Sequence, residues 1–166
     1  MSEPRRILVA IAGAEDPAMV VDLGGLIDPE GSTAEIRLLH VVDSGPRGLL
    51  PLGPGPRRGP WPKPPDSPTL DRITLAEEEG AAALLAGWHG RFAAGLPGAL
   101  ITSEVRRGQP EHEIIAAAQA FGATAMVLCA RPRTGPTEPG PRSVGHVARF
   151  VVDRAPVPVV LVRRSA

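Results

Sequence analysis

The stretch VLCARPRTGPTEPGPRSVGHVARFV, Val127 to Val151, gathers the residue types best equipped for chemistry. Arg131, Arg133 and Arg142 carry fixed charge on a planar donor fork that suits phosphate, Ser143 brings a hydroxyl, and Cys129 is the only thiol in the chain. The order is that of an apolar strand end, a Pro- and Arg-rich loop, and a helix beginning near Ser143. In parallel α/β folds this order points loop amides and a helix N-terminus at an anion. Two chemistries are therefore open: holding a phosphate-bearing ligand, and thiol reactivity at Cys129 with His146 as a candidate neighbour. Each has a plainer counterpart. Seventeen of the 18 basic residues are Arg, so three more in a solvated loop need no ligand to explain them. Ser143 suits a helix cap, and a small Cys at a strand end is commonly just buried.

Elsewhere the chemical signals are thin. His40, His89, His112 and His146 have neither i, i+4 pairing nor nearby Cys partners, so no metal site is expected. Glu77, Glu78 and Glu79 read as a solvated helix face. The 18 basic and 18 acidic residues cancel, which argues against non-specific nucleic-acid or membrane-surface binding. A single cysteine excludes an internal disulfide and fits a reducing compartment. The opening MSEPRRILVAIAG has too short an apolar run for a signal peptide, and no stretch reaches the ~18 apolar residues of a membrane span. A cytoplasmic protein is the expectation.

The elements that must position these residues alternate along the 166-residue chain. ILVAIA (Ile7 to Ala12) predicts a strand buried on both faces, since it lacks polar alternation. Asp16 and Pro17 open an expected helix over AMVVDLGGLI. AEIRLLHVV (Ala34 to Val42) predicts a second strand. Residues 44 to 66 hold eight Pro and five Gly in 23 positions, which excludes a helix or a central strand there. Ser67 and Pro68 suit the start of a helix with Leu84, Leu85, Trp88, Phe92 and Leu96 on one stripe. ALITSEV (Ala99 to Val105) predicts a third strand. Pro110 with Glu111 and Glu113 opens a helix ending near Gly122, and ATAMVL (Ala123 to Leu128) a fourth strand. Ser143 caps an expected last helix with Val144, Val147, Ala148 and Val151 on one stripe, and PVPVVLVRR supplies a fifth strand. This alternation implies a parallel sheet covered by helices on both faces.

ILVAIAG, RLLHVVD, EVRRGQPEHEIIAAAQAFGATAMVL and RSVGHVARFVVDRAPVPVVLV, in this order and spacing, resemble the universal stress protein family. The resemblance implies one Rossmann-like domain over residues 1–166, of the adenine nucleotide α-hydrolase-like type. It would have a five-stranded parallel sheet of order 3-2-1-4-5 and a Pro/Gly-rich insertion at about 44–66. It also implies a homodimer through the C-terminal strand. In the nucleotide-binding branch, the loop after strand four follows G-x2-G-x9-G-[ST] and an Asp ends the first strand. Here Cys129, Pro132, Arg142 and Ser143 stand at the four loop positions, and Ala12 at that of the Asp. Glycines let amides approach phosphates, and proline removes a donor, so the usual cradle is not expected. If a nucleotide binds, the resemblance places it at Ala12, Val41, Val42, Cys129, Arg131, Arg133, Arg142, Ser143 and Val144.

Three functions follow. First is a binding and signalling module without a cofactor, acting through dimerisation and protein partners; the Pro-rich segment reads either as a docking surface for such a partner or as an insertion that grew at little closure cost. Second is an ATP-binding, weakly hydrolysing protein with Mg²⁺ and an altered phosphate loop. Third is a thiol sensor at Cys129. No general base or nucleophile pair stands out, so no catalytic residue is assigned.

Overall fold

In the computed structural model, residues 5–13, 15, 23–24, 34–44, 67–129 and 144–162 are described. The described elements run β1 (Arg5–Ala10), β2 (Ala34–Asp43), α1 (Ser67–Gly95), β3 (Leu100–Gly108), α2 (Pro110–Phe121), β4 (Ala125–Cys129), α3 (His146–Arg154) and β5 (Val159–Val162). All four pairings are parallel and the sheet order is β3-β2-β1-β4-β5. This is the order implied by the family resemblance. Most of the helix expected after β1, and the whole of 45–66, lie outside the described residues.

Because successive strand residues point to opposite faces, the apolar run of β1 feeds two cores. Ile7 and Val9 join Ile36, Leu38, Leu85, Trp88 and Phe92 on the face covered by α1. Leu8 joins Leu39, Met126, Ile114, Ala117 and Val151 on the face covered by α2 and α3. Leu8, Val9 and Phe92 are fully shielded from solvent, as a central strand under two helical layers requires.

α1 buries Ala81, Leu85, Trp88 and Phe92, which recur at three- and four-residue steps, with Leu84 and Leu96 packed alongside. Its first half behaves differently. Residues 67–80 are exposed apart from the half-buried Thr74, and Leu70, Ile73 and Leu75 face solvent. Arg107 of β3 holds this half, bonding Glu77 at 3.0 Å and lying 3.6 Å from Glu78.

β3 extends beyond Val105, where the sequence suggested it ends. As an outer strand it has room for charge: Arg106 bonds Glu104 at 2.6 Å and reaches Glu113, while Arg37 bonds Glu104 from β2 at 3.2 Å. α2 begins on Pro110 and ends at Gly122, which adopts φ 65, a conformation glycine accepts without strain. The Ala123 amide then donates to the Ala118 carbonyl at 2.9 Å, closing the turn into β4. The last helix starts later than expected. Its N-cap is Gly145 at φ 93, Val144 precedes the helix, and Ser143, the expected cap, lies outside the described residues.

Candidate functional site

Between β1 and β4 the sheet reverses its direction of growth, and the crevice outside their carboxyl ends is the place where such sheets accept ligands. Ala10 pairs with Leu128, and β4 ends one residue later at Cys129. Beyond Ala10 the chain stays tied to β2. The Ile11 amide donates to the Leu39 carbonyl at 2.8 Å, and His40 Nδ1–H donates to the Ile11 carbonyl at 2.8 Å. Since a carbonyl only accepts, a proton sits on Nδ1.

The next two amides turn toward one side chain. Glu15 Oε1 accepts from the Ala12 amide at 2.5 Å and Oε2 accepts from the Gly13 amide at 2.7 Å. Gly13 sits at φ 99, a conformation that side-chain-bearing residues rarely adopt. Two consecutive amides on one carboxylate form an anion-holding concavity of the kind that binds phosphates elsewhere. Here the chain fills it with its own anion.

Cys129 is half-buried and packs against the Ile7 and Val9 cluster. Burial above all, then the negative charge of Glu15, push its thiol up from 9.0 to about 12. The Glu15 carboxylate is therefore felt at the end of β4 as well as at β1. A thiol this weakly acidic is protonated at neutral pH and is no nucleophile. His146 does not serve it: the ring bonds Glu111 of α2 at 3.2 Å. The Glu111 carboxyl is held below its usual range, first by its backbone hydrogen bond and then by His146.

Of the residues expected at a nucleotide site, Ala12 stands in the crevice and contributes its amide. Val41 packs with the Leu8 cluster, and Val42 is nearly closed off from solvent. Val144 is half-buried beside Gly145. Arg131, Arg133, Arg142 and Ser143 lie outside the described residues. Two groups escaped the sequence reading, Glu15 and His40. A carboxylate two positions after the glycine that follows the first apolar strand was the available signal for the first.

The sequence matches the universal stress protein family over residues 3–163. The chain belongs to that family. No curated protein sequence matches it significantly. Among solved structures, this universal stress protein is similar to universal stress protein UspA from Lactobacillus plantarum, at 24% identity and TM-score 0.65, covering 98% of this chain and 100% of that one. A universal stress protein from Archaeoglobus fulgidus shares 19% identity with TM-score 0.60, over 95% and 97% of the two chains. A family protein from Arabidopsis thaliana, solved with AMP bound, shares 16% identity with TM-score 0.58, over 98% and 94%. These likenesses establish the shared fold. Among the described residues no three His, Cys, Asp or Glu side chains gather as a metal site, and no helix is long and apolar enough to cross a membrane.

Proposed function

We propose that this universal stress protein is a binding and signalling module that works through self-association and protein partners, without the family's usual mode of ATP binding. The observation that carries this is the loop after β4: Cys129, Pro132 and Arg142 occupy the positions where the nucleotide-binding branch has glycines. A Cβ at each position and a missing amide at Pro132 remove the close backbone approach that a triphosphate requires. The sheet around the crevice is nonetheless complete, so the fold keeps its scaffold role.

Self-association is assigned to β5. Val159–Val162 is the outermost strand on its side among the described residues, and two copies pairing antiparallel would satisfy the edge amides in a symmetric dimer. The composition of segment 45–66, proline-rich with Trp61, Arg47, Arg57, Arg58 and Lys63, suits docking of a protein partner at low ordering cost. Residues 1–166 act as one domain in this scheme.

The alternative, an ATP-binding protein in which Ser143 and the loop arginines replace the lost amides, is favoured by the AMP-bound relative and by others solved with cAMP and dAMP. Isothermal titration with ATP and Mg²⁺ separates the two. Flat heats at millimolar ligand support the module; saturable micromolar binding supports the alternative and sinks the proposal.

A further inference from the structure

We infer that the Glu15 carboxylate is the built-in occupant of an oxyanion seat formed by the Ala12 and Gly13 amides, and that it keeps phosphate-bearing ligands out of the crevice. This rests on the proposed function and extends it, because it names a residue that bars anions and the ligand class the seat would take without it.

The donors are real and already engaged: Ala12 N–H meets Oε1 and Gly13 N–H meets Oε2. Carboxylate and phosphate oxygens make the same charge-assisted bonds to backbone amides, so what holds one holds the other. The seat does not depend on Glu15 for its shape. Ile11, just before it, is fixed from both sides by the Leu39 carbonyl and His40, and Gly13 supplies the positive φ that turns the second amide inward. Position matters as much as chemistry. The influence of Glu15 on the Cys129 thiol puts its charge in the crevice at the sheet's switch point. An incoming phosphate there meets filled donors and a like charge together, a repulsive element that discriminates against one ligand class.

The test titrates wild type, Glu15→Ala, and Glu15→Ala combined with Gly13→Val, with inorganic phosphate and with AMP. Heats are read by calorimetry and the Ala12 and Gly13 amide shifts by ¹⁵N NMR. Glu15→Ala is expected to bind both ligands at least about tenfold more tightly than wild type, since two charge-assisted bonds become available. The Ala12 and Gly13 amides should move on titration, and the gain should vanish in the double variant, where valine cannot hold the Gly13 conformation. Should Glu15→Ala not fold, Glu15→Gln, which loses the charge and keeps the size, must show a gain of the same sign. No tightening, or tightening that leaves both amides unmoved or survives Gly13→Val, overturns the inference. Wild-type binding of AMP that Glu15→Ala improves tenfold overturns the proposed function alone; wild-type binding equal to that of the variant overturns both.

Discussion

Cys129 offers the sharpest quantitative check on the crevice. Its thiol is pushed from 9.0 to about 12, burial being the larger cause and the Glu15 charge the smaller. The thiolate is the reactive species, so three pH units of suppression cut its population roughly a thousandfold near neutral pH. The assay is alkylation by iodoacetamide under native conditions, compared with the urea-unfolded chain, across pH 7 to 10.5. Native labelling is expected to be about a thousandfold slower near neutral pH and to climb about tenfold per pH unit without levelling off. An unfolded thiol should level off above about pH 9. Glu15→Ala should raise the native rate, because the charge that disfavours the thiolate is gone while burial remains. Stability carries the same signature: the fold favours the protonated thiol, so its contribution is whole below about pH 9 and drains away as pH rises toward 12. Cys129→Ala should flatten that alkaline decline in urea melts. Native labelling within about tenfold of the unfolded rate at neutral pH, or a plateau below pH 10, would refute the picture of a buried thiol facing a carboxylate and would revive a sensor role.

Phe92→Ala should cost about 3–5 kcal/mol in urea unfolding, because the ring is wholly shielded and its loss leaves a cavity between α1 and the sheet. Gly122→Ala should cost about 1–2 kcal/mol, since the residue sits at φ 65 and its new Cβ would lie 3.1 Å from Arg6 Nη1. The lowered pKa of Glu111 stabilises the fold above the ordinary carboxylate range and is lost as pH falls through the folded value. Glu111→Gln should therefore shrink the acid-side fall in melting temperature, and His146→Ala should raise the Glu111 pKa read by ¹³C NMR. Sedimentation should give a dimeric mass at micromolar protein, and Val160→Pro, placed in β5, should shift it to monomer; an unshifted dimer would move the interface elsewhere.

Much of the fold was legible because burial imposes patterns on sequence. A strand covered on both sides must be apolar throughout, and Ile7, Leu8 and Val9 divide between two cores as that pattern requires. Trp88 and Phe92 announced α1 by spacing, and Pro110 and Gly122 bracketed α2. Charge hid the end of β3: Arg106 and Arg107 look like a loop until Glu104, Glu113, Glu77 and Glu78 supply partners from other elements. The start of α3 was misplaced because a serine is the commoner cap, whereas Gly145 makes the turn by its backbone angle. The crevice was legible by location and not by content. Glu15 acquires its role only from the positive φ of Gly13 and from the closeness of a strand end distant in sequence. His40 acquires its role from a carbonyl that no pattern marks.

The uneven burial of α1 gives one helix two lifetimes. From Ala81 onward its amides open only when the core beneath Leu85, Trp88 and Phe92 opens, so their hydrogen exchange should report global unfolding. The half before Ala81 is exposed and held to the sheet through Arg107 at Glu77 and Glu78, and it should exchange and be cut by proteases through local opening. One surface arginine on the outer strand thus sets where along a continuous helix the cooperative unit begins. Removing it should move that boundary toward Ala81 while leaving the protected half as slow as before.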